Sequence, residues 1–165
     1  MSTIALNGVF PPIPTPFVDG EVSRQHLAAN IQKWNRTPIT GFVVLGSNGE
    51  YPYLSRSEKI LVVETVAAAA SDDKVIIAGT GCESTRASIQ LTRDCAAAGA
   101  QAALVVTPHY YGGRMNDDAL VRHYETIADT APIPIMLYNV PKFTHINLSV
   151  HAVARLAAHA NIAGI

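Results

Sequence analysis

Apolar residues in this chain follow two alternating spacings. Short unbroken runs occur at Gly41-Phe42-Val43-Val44-Leu45, Val75-Ile76-Ile77-Ala78-Gly79, Ala102 to Thr107 and Ile133 to Tyr138. Runs this brief and this apolar suit strands covered on both faces, as in parallel α/β sheets. Between them apolar residues recur at helical spacing: Leu27, Ile31 and Trp34; Ile60, Val63 and Ala67; Ala87, Leu91, Cys95 and Ala98; Leu120, Tyr124 and Ile127; Val150, Val153 and Leu156. Each set forms one stripe that can pack on a sheet. The helix starts carry capping residues: Ser23, the capping-box spacing Ser55-Arg56-Ser57-Glu58, the hydroxyls of Ser84 and Thr85, Asn116 with Asp117 and Asp118, and Ser149. Gly99 marks a helix end.

The proline-rich segment Gly8 to Phe17 is unsuited to a central antiparallel strand but can enter a sheet as a short, irregular first strand. Asn161-Ile162-Ala163-Gly164-Ile165 reads as the opening of a sixth strand. Five strand–helix units of roughly thirty residues match a (β/α)8 TIM barrel, which typically takes about 250 residues to close. Residues 1–165 therefore read as the N-terminal part of a single TIM-barrel domain, covering about the first five βα units and the start of the sixth strand. The competing architecture is a doubly wound open sheet, but no G-x-G-x-x-G or G-x-x-x-x-G-K-[ST] pattern follows any strand.

Composition narrows the class. Of 165 residues, 48% are hydrophobic and 15% charged, enough for a substantial core. A net charge of -1, with 12 basic and 13 acidic residues spread along the chain, leaves no footprint for nucleic acid or an anionic membrane. Cys82 and Cys95 form no C-x-x-C or disulfide-rich pattern, which fits a reducing compartment. Cys95 falls in an apolar stripe and reads as core, and Cys82 reads as structural. Met1-Ser2-Thr3-Ile4 lacks the features of a signal peptide, and no apolar run reaches spanning length, so a cytoplasmic protein is expected. The six histidines show no H-E-x-x-H or similar spacing, so no metal is assigned.

Candidate chemistry begins where the first buried run passes into Gly46-Ser47-Asn48-Gly49-Glu50. Gly46 and Gly49 allow a sharp turn with backbone N–H groups close to a ligand, and Ser47 and Asn48 add hydrogen-bonding side chains. A plain β-to-α turn is the competing reading.

Four motifs in order change that balance: G-S-N-G-E at 46 to 50, A-G-T-G at 78 to 81, V-T-P-x-Y at 106 to 110 and Y-N-V-P at 138 to 141. Together they resemble the dihydrodipicolinate synthase and N-acetylneuraminate lyase family of pyruvate-dependent class I aldolases. Within it, Ser47-Asn48, G-C-E-S-T at 81 to 85 and Y-Y-G-G-R-M at 110 to 115 look most like the 4-hydroxy-2-oxoglutarate aldolase branch. The resemblance implies a lysine nucleophile on the sixth strand, expected directly after Gly164-Ile165, that forms a Schiff base with pyruvate and yields an enamine. No external cofactor is implied.

By the same resemblance Tyr138 is the proton-transfer tyrosine. Ser47 links it to a second tyrosine, Tyr110, which reaches into a neighbouring subunit's site, so a homo-oligomer (dimer or tetramer) is expected. Ser47, Asn48 and Gly49 would hold the pyruvate carboxylate, largely through backbone N–H groups. Glu50 reads as a turn anchor, and Arg114 either meets an acidic substrate or is solvated. Synthases of this family carry an arginine two residues beyond the proline, for the carboxylate of the aldehyde; here the chain reads Lys142-Phe143-Thr144. His145 stands where glycine is common. Both changes favour an aldolase acting on a 4-hydroxy-2-oxo acid such as 4-hydroxy-2-oxoglutarate. The alternatives are 4-hydroxy-tetrahydrodipicolinate synthase, condensing pyruvate with aspartate semialdehyde, and a non-catalytic small-molecule-binding paralogue.

Overall fold

The computed structural model describes residues 6–165; Met1-Ser2-Thr3-Ile4, read above for targeting, lies outside them. The chain divides into two compact units, one running up to Gly79 and including Cys95–Gln101, the other comprising Thr80–Asp94 and Ala102–Ile165. No helix among the described residues is long and apolar enough to cross a membrane.

In the first unit the proline-rich segment does lie parallel to a strand. Thr40 donates its N–H to the Val9 carbonyl (2.9 Å), Val43 to Pro11 (3.0 Å), and Ile13 donates to Val43 (3.0 Å). These bonds use the carbonyl of Pro11 and the N–H of Ile13, so the amide hydrogens missing at Pro11 and Pro12 are not needed. A hairpin that the apolar spacing does not announce follows, β1 (Phe17–Val18) and β2 (Glu21–Val22). Its turn residues Asp19 (φ 51°) and Gly20 (φ 85°) are an Asp-Gly pair of the kind such turns favour.

Ser23 caps α1 (Arg24–Trp34), which buries Leu27 and Ile31 completely. Each contributes roughly 1.5–3 kcal/mol by leaving water. Then β3 (Gly41–Val44) pairs in parallel with β4 (Val75–Gly79), Gly41 opposite Val75 and Val44 opposite Ala78. Between them lie two 3-10 turns, Ser47–Gly49 and Tyr51–Tyr53, and α2 (Arg56–Ala69) with the expected capping box at Ser55 and Glu58. The two helices are tied at their ends by Asn35, whose Nδ2 donates to the Ala69 carbonyl (2.9 Å) while its Oδ1 accepts from Ser71 N–H (3.2 Å). Helix α3 (Thr85–Ala97) ends in this unit as a Schellman motif: Ala100 N–H donates to Cys95 O, Gly99 N–H to Ala96 O, and Gly99 takes φ 108°.

The second unit holds β5 (Ala102–Val106), β6 (Ile135–Tyr138) and β7 (Ile162–Gly164), all parallel, with α4 (Asp117–Thr130), the short α5 (Pro141–Thr144) and α6 (Val150–Leu156). Strand β6 starts at Ile135 rather than Ile133; Pro134 has no N–H for a ladder, and its carbonyl accepts from Ala103 instead. Tyr124 is fully buried, and its hydroxyl donates to the Val105 carbonyl at 3.1 Å; burial pushes the phenol up, so it stays neutral. Two positions depart from the expected stripes. Val150 is 88% exposed, because α6 turns Ala152 and Leu156 inward. Ala87 is exposed, because α3 buries Ser88, Leu91 and Thr92, and the two hydroxyls serve the loop ahead of the helix.

Gly79 is required by close approach: a Cβ there would lie 2.1 Å from the Leu45 carbonyl oxygen, a backbone atom that cannot swing away. Gly79→Ala should therefore lower stability by about 2–3 kcal/mol. Urea unfolding monitored by circular dichroism checks this, and an unchanged midpoint would refute the close-packing account.

Candidate active site

The residues singled out by sequence lie where parallel strands end. Beyond β3 the chain bends sharply, but not at the glycines. Gly46 is extended (φ -76°, ψ -175°), whereas Leu45 (φ 59°) and Glu50 (φ 56°) occupy the left-handed region. A non-glycine residue there costs roughly 1–2 kcal/mol, which burial of the Leu45 side chain, 1% exposed, offsets. The expectation that Gly46 and Gly49 make the bend is thus corrected. Glycine at 49 meets a different demand, since its Cβ would lie 3.2 Å from the Ile13 carbonyl oxygen.

The loop is held from outside itself. Thr15, 5% exposed, donates its hydroxyl to the Gly49 carbonyl at 2.7 Å. The Gly49 N–H donates to Gly46 O (3.0 Å) and Glu50 N–H to Ser47 O (3.2 Å), which winds the 3-10 turn. Ser47 is half-buried, while Asn48 and Glu50 are exposed. Sequence reasoning missed Thr15; the available signal was a lone hydroxyl inside a run of prolines and apolar residues.

In the second unit Tyr138 closes β6, level with Val106 at the end of β5. Ile135 and Leu137 enter the core beneath α4 and α6, so Met136 and Tyr138 face the opposite side of the strand. Asn139 then staples the following loop: its Oδ1 accepts from Leu148 N–H (3.1 Å) and its Nδ2 donates to Asn147 Oδ1 (2.7 Å). Within that loop His145 has φ 55°, the backbone reason a glycine would sit there comfortably. Lys142 and Phe143 are both exposed, with Lys142 Nζ 5.6 Å from the Phe143 ring centroid, so no guanidinium occupies this stretch.

Tyr110 follows β5 by four residues and is 77% exposed. Its ring meets the edge of Tyr111, centroid to centroid 5.0 Å. Arg114 lies in a further 3-10 turn, Gly112–Arg114, and is exposed. The backbone beneath Tyr110 is gripped by Glu83, a residue that sequence reasoning left without a role. One Glu83 oxygen accepts the N–H groups of His109 (2.9 Å) and Tyr110 (2.8 Å), and the other lies 2.9 Å from His109 Nδ1. The Cys82 N–H donates to Ser88 Oγ at 2.9 Å, and its thiol lies 3.7 Å from the Thr80 carbonyl. The second unit thus brings Tyr110 and Tyr138 to the same end of two paired strands, while Ser47, Asn48 and Gly49 end a strand of the first unit.

Parallel strands alternating with helices, and polar loops at the strands' C-terminal ends, define an α/β protein of the TIM-barrel type. The same fold occurs in the chloride-inhibited dihydrodipicolinate synthase from Acinetobacter baumannii complexed with pyruvate, with a TM-score of 0.91 and 37% identity over 98% of this chain and 55% of that one. The 4-hydroxy-tetrahydrodipicolinate synthase from Methylacidiphilum fumariolicum superposes with a TM-score of 0.90 and 33% identity, covering 96% of this chain and 52% of that one. In sequence, the chain is 43% identical to the 4-hydroxy-tetrahydrodipicolinate synthase of Methanothrix thermoacetophila over 96% of its length. It spans about half the length of the curated relatives it matches. The chain belongs to the dihydrodipicolinate synthetase family, which it matches over residues 5–165. The finer resemblance to the 4-hydroxy-2-oxoglutarate aldolase branch has no counterpart among the relatives named here, which are synthases.

His123, on α4, is 6% exposed and pairs through Nδ1 with Thr85 Oγ1 at 2.9 Å. Burial pulls its pKa from 6.5 down to about 4, against the opposing pull of Glu83. The folded state therefore binds this proton less readily than the unfolded state. The stability this contributes is complete above about pH 6.5 and is lost as pH falls towards 4, by up to about 3 kcal/mol. Urea titrations across that window should show a slope with pH that His123→Asn flattens; equal slopes in the two proteins would refute the assignment.

Proposed function

We propose that this chain is the N-terminal part of a single TIM-barrel domain that works as a Schiff-base enzyme, with pyruvate as its nucleophilic component. A lysine at the position following Ile165 attacks the pyruvate ketone, water leaves as the iminium forms, and loss of a methyl proton gives the enamine that makes or breaks the carbon–carbon bond. The observation that supports this reading is the register of β6 and β7. After a shift in register at Ile135/Met136, Met136 is level with Gly164, and a regular continuation of both strands by two residues would bring the position following Ile165 level with Tyr138. Paired strands run about 4.8 Å apart, and residues level with each other share a face. A phenol and an amine so arranged are close enough to exchange a proton through the carbinolamine.

Tyr138 is then the proton-transfer residue. Ser47 links it to Tyr110, and Ser47, Asn48 and Gly49 receive the carboxylate of pyruvate. The high exposure of Tyr110 supports its use in the site of a second subunit, so the working form is a homo-oligomer. For the acceptor, the names of the relatives support aspartate semialdehyde, making the protein a 4-hydroxy-tetrahydrodipicolinate synthase. The second reading is cleavage of 4-hydroxy-2-oxoglutarate. Lys142-Phe143-Thr144 favours it, because an exposed phenyl ring supplies no charge for the aldehyde's carboxylate and a neighbouring lysine does not reproduce a bidentate arginine.

Pyruvate and borohydride together should leave a stable adduct on the complete polypeptide, read by mass spectrometry; its absence would exclude the Schiff base. Rates with aspartate semialdehyde plus pyruvate, against rates with 4-hydroxy-2-oxoglutarate, decide the acceptor, and turnover of only the latter would replace the first reading with the second. Tyr138→Phe should lower kcat by about 100-fold or more with the fold intact by circular dichroism, and near-normal kcat would remove Tyr138 from its role.

A further inference from the structure

We propose that Glu83 is the positioning residue that sets the direction of Tyr110. The inference rests on the reading of Tyr110 as a proton-relay residue. The Tyr110 ring is 77% exposed, with the edge of Tyr111 beside it, so packing holds its phenol weakly. Its backbone sets the direction instead. Pro108, two residues earlier, has no N–H to offer a turn. The next two amide hydrogens, those of His109 and Tyr110, both go to one Glu83 oxygen, at 2.9 and 2.8 Å. The second Glu83 oxygen holds the His109 ring through Nδ1 at 2.9 Å. Three contacts from one carboxylate therefore fix two consecutive peptide planes, and the second carries the Tyr110 Cα. Hydrogen bonds to an ionised acceptor are the strong kind.

The anchor is itself anchored. Cys82, just before Glu83, donates its N–H to Ser88 Oγ at 2.9 Å, and Ser88 Oγ donates to Cys82 O at 3.2 Å. Ser84, just after it, caps the helix through Ala87 N–H at 3.2 Å. Glu83 thus stands between two residues bound to the first turns of α3, and it transfers the rigidity of that helix to the loop after β5. A displaced phenol still lets pyruvate bind but slows proton transfer, so the effect belongs in kcat rather than KM.

The experiment compares Glu83→Ala, Glu83→Gln and Tyr110→Phe in the complete polypeptide, reading kcat, KM for pyruvate, and backbone amide exchange at His109 and Tyr110. Glu83→Ala should speed exchange at both amides by about 10-fold or more. It should also lower kcat by about 10- to 100-fold with KM within about twofold. Glu83→Gln keeps one oxygen able to accept both N–H groups and should restore slow exchange and most of kcat. Unchanged exchange in Glu83→Ala overturns the proposal, as does a normal kcat in that variant while Tyr110→Phe is slow. If Tyr110→Phe itself turns over at the normal rate, the relay reading of Tyr110 has failed and the proposal falls with it, an outcome distinct from a failure of the anchor alone.

Discussion

Where a parallel strand ends, its backbone N–H and C=O groups lose their ladder partners, and the structure depends on how those groups are satisfied. Two of the loops are held by a side chain from elsewhere in their own unit and the third by its own first residue. The Thr15 hydroxyl reaches the Gly49 carbonyl, the Glu83 carboxylate takes the amides of His109 and Tyr110, and Asn139 takes the amide of Leu148. Such bonds satisfy backbone groups that no ladder partner reaches.

The same economy appears between Thr80 and α3 in the second unit. Thr80, Ser88 and Thr92 are all fully buried, yet each finds a partner: Thr92 Oγ1 lies 2.8 Å from both Thr80 Oγ1 and the Ser88 carbonyl, and Ser88 Oγ exchanges bonds with the backbone of Cys82. With one proton on the Thr92 hydroxyl, donation to the Ser88 carbonyl leaves Thr80 to donate to Thr92. A helix face that would otherwise be apolar is thereby used to fix the loop carrying Glu83. Packing and site geometry are thus coupled through three hydroxyl groups.

The acceptor of the proposed reaction turns on a short stretch whose two indications point in different directions. The relatives reported above are named synthases, yet the loop after β6 offers an exposed phenyl ring with a lysine ammonium 5.6 Å from its centroid. Charge decides such matters more than shape, since a carboxylate arriving without a cation loses its hydration with little in return. The pyruvate half of the chemistry does not depend on this choice.

Sequence alone determined the alternation of strands and helices, the capping box and the helix stop, and the placing of Ser47, Tyr110 and Tyr138 at or just beyond strand ends, because periodicity and capping are local properties of the chain. It could not show that Val150 faces solvent, or that Leu45 rather than Gly46 makes the bend, since both depend on what each residue packs against. Thr15 and Glu83 were hidden for a related reason. Their partners lie 34 residues away for Thr15, and 26 and 27 for Glu83, so no local pattern announces the bonds. Only the tertiary structure, by bringing the Gly49 carbonyl to Thr15 and the His109 and Tyr110 amides to Glu83, decided which polar residues hold the loops.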